Sequence, residues 1–176
     1  YTNTTGSENT TIGTEAGYNN TGTGNTFLGY QAGYNQTTGS NNTVIGHDAE
    51  PSAVTVSDEI TLGDASIATL RCQVTSITAL SDKRDKENIQ PSTYGLDLVN
   101  KLKPVTYDWN TRDGAKVGVK DLGFIAQDLQ EIDNENLKLV YDSNPEKLEA
   151  SYGRLIPVLV KAIQDLSAKV KELENK

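Results

Sequence analysis

The chain has 176 residues, enough for one ordinary domain or two small ones, and carries 16 Lys and Arg against 24 Asp and Glu, a net charge of −8. The acidic balance argues against a nucleic-acid partner or an anionic membrane surface, and no apolar run approaches the roughly 20 residues that a bilayer-crossing helix needs. One cysteine, Cys72, and one histidine, His47, exclude a disulfide framework, a structural zinc site and a histidine cluster within one chain, so neither a metal nor a cofactor is expected.

The charge is unevenly placed. Residues 1–70 hold no Lys or Arg and seven acids, which leaves the remainder close to neutral. Thr, Asn and Gly make up more than half of the first fifty residues, where, beyond alanine, the aliphatic or phenylalanine side chains are Ile12, Phe27, Leu28, Val44 and Ile45. Such a stretch cannot bury a core by itself. The chain starts at Tyr1 and contains no Met, as expected of a segment of a longer product.

Residues 1–52 nevertheless repeat. Asn-Thr-x-Ile/Leu-Gly occurs at Asn9–Gly13, Asn25–Gly29 and Asn42–Gly46, each followed at the third position after the glycine by Ala16, Ala32 or Ala49. A weaker fourth copy is Ile60-Thr61-Leu62-Gly63, and the glycines step by 16, 17 and 17 residues. A period this short, with one β-prone segment per copy and Gly/Asn turns between, predicts one coil of a β-solenoid or β-helix shaft per repeat. Each coil offers one or two side chains to bury, so the simplest remedy is a symmetric assembly in which apolar positions of several chains meet on an axis. Tyr18, Tyr30 and Tyr34 recur along the repeat, as a sugar-stacking row would and as repeat-surface tyrosines equally would.

From residue 53 to 80 the apolar residues alternate in short runs: Val54 and Val56, Ile60 and Leu62, Ile67 and Leu70, Val74, Ile77 and Leu80. Strand periodicity of this kind predicts a narrow β-stalk, again intertwined between chains. Ser81-Asp82-Lys83-Arg84-Asp85-Lys86 then ends the β-rich region and brings the first lysines of the chain. By composition this is a charged boundary loop leading into a helix, with Ser81 as its cap.

Further on, Leu96, Val99 and Leu102 predict a short helix over 94–102 that Pro104 stops. Strands are predicted over 104–109 and 116–119 around the Asp113-Gly114 turn, a helix over 122–132 with Ile125, Leu129 and Ile132 on one face, and a strand pair, 137–141 and 148–151, around Asn144-Pro145. At the C-terminus Ile156, Leu159, Ile163, Leu166, Val170 and Leu173 alternate steps of three and four, a coiled-coil seam over 155–174 whose strand number the residues leave open. The fold class expected is α+β.

Four ordered motifs carry a resemblance. Ser81-Asp82-x-Arg84-x-Lys86-x-x-Ile89, Pro104–Trp109, Gly123–Glu131 and Tyr152–Leu159 together resemble the endosialidase-type, self-cleaving intramolecular chaperone domain found at the C-terminus of phage tail fibres and tailspikes and in myelin regulatory factor-like proteins. The upstream repeats resemble those of fibre shafts and trimeric adhesin heads. The resemblance implies a chaperone domain over 81–176, a three-stranded coiled coil at its end, and a homotrimer whose own upstream shaft is the folding client. It implies cleavage between Leu80 and Ser81 by a dyad of Ser81 and Lys86, with Asp82 and Arg84 in support, in a fibre that resides in the virion, is assembled in the host cytoplasm and meets a host surface glycan.

The chemistry of such a pair stands without the family. A serine hydroxyl needs a base to remove its proton, and a lysine serves only when neutral, so an ordinary lysine pKa of about 10.4 must fall by roughly 3 units through burial or cationic neighbours. Lys83 and Arg84 are such neighbours. Asp85, where the family carries an uncharged residue, works against the shift and makes slow or incomplete cleavage the expectation. Each site acts once. The alternative expectation is a non-cleaving trimeric structural or adhesin fibre that binds a host surface receptor.

Overall fold

In the first repeat unit the alternation of a three-residue strand decides what is buried. The computed structural model describes residues 5–74 and 76–176 and divides into two units. One comprises 1–69, 108–120 and 142–147; the other comprises 70–107, 121–141 and 148–176. The repeats build four strands, β1 (Thr10–Ile12), β2 (Thr26–Leu28), β3 (Thr43–Ile45) and β4 (Ile60–Leu62), paired in parallel in that order. Their register is exact from coil to coil, with Thr11 beside Phe27, Phe27 beside Val44 and Val44 beside Thr61.

The central residue of each strand points inward, because successive side chains of a strand face opposite sides. Phe27 and Val44 are fully buried and pack with Ala16, Ala32 and Ala49. The regular aliphatic of the motif, by contrast, faces outward: Ile12, Leu28, Ile45 and Leu62 are 60%, 41%, 37% and 53% exposed. The interior is thus set by the variable position, and the constant one forms an outer apolar row.

The asparagine that opens each motif explains how so polar a chain is satisfied inside. Asn25 and Asn42 are buried, and each side-chain oxygen accepts from the backbone of the next coil: Asn42 N donates to Asn25 Oδ1 at 2.9 Å and Glu59 N to Asn42 Oδ1 at 3.0 Å. The amide nitrogens donate across to turn carbonyls, Asn25 Nδ2 to Gly39 O at 2.9 Å and Asn42 Nδ2 to Val56 O at 2.8 Å. Glu59 takes the asparagine's place in the fourth copy, where its carboxylate accepts instead from Ser52 N and Oγ. Gly33 has φ +64°, and a Cβ there would strike the Phe27 ring; a Cβ on Gly29, at φ +136°, would strike Gly46 O. The tyrosines stack along the ladder, Tyr18 on Tyr34 at 5.2 Å and Tyr30 on His47 at 5.0 Å between ring centroids, so their faces are spent largely on each other.

Past Gly63 the predicted β-stalk is absent as secondary structure: among the described residues 64–80 no strand occurs, and Leu70, Val74, Ile77 and Leu80 are 65–96% exposed. A strand needs a partner for its backbone groups, and one chain supplies none here. Ile60–Leu62 from that stretch instead continues the repeat ladder as its fourth rung.

The second unit centres on α3 (Leu155–Glu174), whose Leu155, Val158 and Ala162 face inward. With Leu155 and Val158 pack Leu98 of α1 (Leu96–Val99), Leu129 of α2 (Ala126–Gln130), Leu137 and Leu139. Asp165 on α3 accepts from Leu96 N at 3.3 Å and pairs with Lys161, whose hydrogen bond holds its carboxyl below the usual range. β5 (Val105–Asn110) pairs with β6 (Val117–Gly123), and β7 (Val140–Tyr141) runs antiparallel to β8 (Glu149–Ala150).

Two helices are shorter than predicted. α1 keeps four residues of the span 94–102, and α2 begins at Ala126, not at Leu122. β6 carries on to Gly123 because Tyr152 Oη takes the hydrogen bond of Phe124 N at 3.2 Å and would lie 2.5 Å from a Cβ on Gly123. Ile125, with extended backbone, then starts the helix without a side-chain cap.

The ladder's reliance on very few buried groups gives the first test. Phe27→Ala is expected to cost about 3–5 kcal/mol, and Asn25→Leu about 1–3 kcal/mol by leaving Gly39 O and Asn42 N unpaired. Urea unfolding at fixed protein concentration measures both, with Tyr18→Leu on the ladder surface as the comparison that changes little.

Candidate functional site: the turn at Ser81

Asp82 begins the site. It is the N-cap of a 3-10 turn over Lys83–Asp85, its carboxylate accepting from Arg84 N at 2.8 Å, and Lys86 N closes the turn on Lys83 O at 3.2 Å. The cap is therefore Asp82 and not Ser81, and the element is a single turn and not a helix. The same carboxylate binds the Arg84 guanidinium, Oδ1 from Nε at 3.1 Å and Oδ2 from Nη2 at 2.7 Å. That hydrogen bond from Arg84 holds the Asp82 carboxyl below the usual aspartate range and raises Arg84 in return.

Beyond the turn, Lys86 has extended backbone, and its Nζ lies 2.6 Å from Ser81 Oγ. The two candidate catalytic residues, five positions apart, thus meet within one chain. Both are exposed, as is Leu80 at 81%. Arg84, which the sequence offered as a cationic neighbour to the lysine, is neutralised by its own ion pair with Asp82. Asp85, expected to oppose the base role, donates its backbone N–H to Asp82 O at 3.2 Å and forms no ion pair with Lys86. The geometry thus brings the lysine amine and the serine hydroxyl within hydrogen-bond distance in an exposed setting. The missed signal was the Asp-x-Arg spacing, which lets one carboxylate cap a turn and hold the arginine that follows. Among the described residues no group of three or more His, Cys, Asp or Glu could hold a metal, and no helix is long and apolar enough to cross a membrane.

The lowered Asp82 carboxyl makes the turn pH-sensitive in a defined direction. Its stabilisation is present above the ordinary aspartate value of about 3.9 and is lost as pH falls through the lowered one. The Arg84 backbone amide resonance should stay constant from neutrality down to about pH 5 and move toward its random-coil position only in stronger acid; Asp82→Asn should abolish that titration.

Residues 81–138 match the family described as chaperone of endosialidase, a peptidase family. The chain is 40% identical over 97 residues to the long tail fiber protein Gp37 of Enterobacteria phage K3, and equally to that of Enterobacteria phage T2. These alignments take in 54% of this chain and 8% and 7% of the relatives, so the chain spans less than a tenth of their length. No solved structure matches it. Residues 81–138 thus resemble the chaperone-of-endosialidase family, and 97 residues of the chain are similar to phage long tail fiber proteins.

Proposed function

We propose that the chain is the C-terminal part of a phage tail fibre, in which residues 81–176 gather three chains, register the β-shaft and then cut themselves away between Leu80 and Ser81. The observation that carries the cutting step is the 2.6 Å approach of Lys86 Nζ to Ser81 Oγ. Once Lys86 is neutral, it takes the hydroxyl proton while Oγ attacks the carbonyl carbon of Leu80 through a five-membered ring. The C–N bond then breaks, the amide nitrogen regains the proton from Lys86, and an ester joins Leu80 to Ser81 Oγ. Water opens the ester to the Leu80 carboxylate and restores the hydroxyl. One site serves one event, so the domain is a single-turnover serine autoprotease.

Assembly is the natural trigger, since packing of other chains on this exposed segment is what desolvates the lysine. Two features of the single chain support an assembly. Along α3 the seam residues Ile156, Leu159, Ile163, Leu166, Val170 and Leu173 are 44–69% exposed, on a stripe adjoining the face that Leu155 and Val158 bury. On the ladder, Ile12, Leu28, Ile45 and Leu62 form the outer apolar row. A seam that aligns identical chains also sets the register of strands whose repetition leaves register poorly specified. Residence in the virion, assembly in the host cytoplasm and contact of the full-length fibre with a host surface glycan follow from this reading. A permanent, uncut cap on an adhesive fibre is the second reading, favoured by the solvent-exposed Lys86 beside Asp85.

A denaturing gel of wild type beside Ser81→Ala and Lys86→Ala separates the two. Cleavage gives a fragment whose mass begins at Ser81 in wild type only, and its release quickens as pH rises, because the neutral amine is the active form. One full-length band in all three proteins rejects the protease. Light scattering should return three chains per particle, and Ile163→Glu on the seam should give monomers that remain uncut.

A further inference from the structure

We propose that Asp82 and Arg84 are positioning residues for the Ser81–Lys86 pair: one carboxylate, capping the turn and clasped by the guanidinium, folds the chain so that Lys86 meets Ser81 before another chain packs on it. The inference rests on the self-cleaving reading of this site and gives Arg84 a role other than repelling the lysine's proton.

Three donors converge on Asp82. Arg84 N and Nε bind Oδ1 at 2.8 and 3.1 Å, and Nη2 binds Oδ2 at 2.7 Å. The backbone donor fixes the entry to the turn, and the two guanidinium donors restrict rotation of the carboxylate that makes the cap. The turn then returns the chain by Lys86 N on Lys83 O, and the lysine leaves with φ −132° and ψ 136°, its ammonium on the hydroxyl five residues back.

Among the described residues from 65 to 93, Asp82 is the one that is not exposed. Among the described residues of this stretch no core side chain, strand or α-helix orders the site, which leaves the clasp to set its geometry. Arg84 cannot at the same time act as an unpaired cation, since its charge is met by Asp82, with the arginine side chain 88% exposed and the aspartate 35%. The clasp therefore supplies proximity, and assembly supplies the dry surroundings.

The two roles differ in the pH profile of fragment release. Loss of the clasp removes proximity without changing the lysine's surroundings, so Arg84→Ala and Asp82→Ala should each lower the plateau rate on the order of tenfold with the midpoint of the profile unmoved. Asp82→Ser, which keeps an oxygen for Arg84 N, should recover part of the loss, and light scattering should find the same particle size in every variant. A midpoint that moves to higher pH in Arg84→Ala with the plateau retained overturns the clasp in favour of a charge effect. Equal rates for wild type and Asp82→Ala overturn it while the cleavage reading stands. A wild-type chain that stays whole at every pH overturns both.

Discussion

Asn25 Oδ1 accepts a backbone N–H from the coil after it, just as Asn42 Oδ1 does one coil further on, and this dependence of each coil on its neighbour governs the first unit. A coil of 16 or 17 residues buries one strand side chain and one alanine, far too little to offset the entropy of ordering it. Its asparagine and turn carbonyls are paired only when the next coil is in register. Stability therefore grows by interfaces between coils, and the first and last rungs, with Thr11 and Thr61 at the core position, are the weak ends.

The same scarcity of apolar burial explains the outer surfaces. Ile12, Leu28, Ile45 and Leu62 stand in a row that one chain leaves wet, and α3 has a second apolar stripe adjoining the face it buries. A helix with two apolar stripes has more to bury than its own unit can cover. The near-neutral C-terminal region holds a larger aliphatic core, while the lysine-free repeats bury only Phe27, Val44 and three alanines among the described apolar residues.

At the junction, local and global requirements are divided. The 3-10 turn needs only Asp82, Arg84 and the backbone, so the approach of Lys86 to Ser81 is a property of six consecutive residues. The surroundings of Lys86, by contrast, are solvent in a single chain.

The sequence by itself determined the repeat period, the four rungs and the helix over 155–174, since each rests on spacing that a short stretch of chain enforces, whereas the Ser81–Lys86 pair was implied only by the resemblance of its motif to a known family. It did not determine which side of a three-residue strand turns inward: the constant Ile/Leu is exposed while Phe27 and Val44 are buried, because the coil's turns, with Gly17 and Gly33 against the Phe27 ring, fix the inner face. Nor did the alternation of 64–80 make strands, since pairing needs a second backbone. The reach of α2 was cut at Gly123 by Tyr152, twenty-nine residues later in the chain. Tertiary structure decided these points because each depends on a group distant in sequence, whereas the turn at Asp82 depends on none.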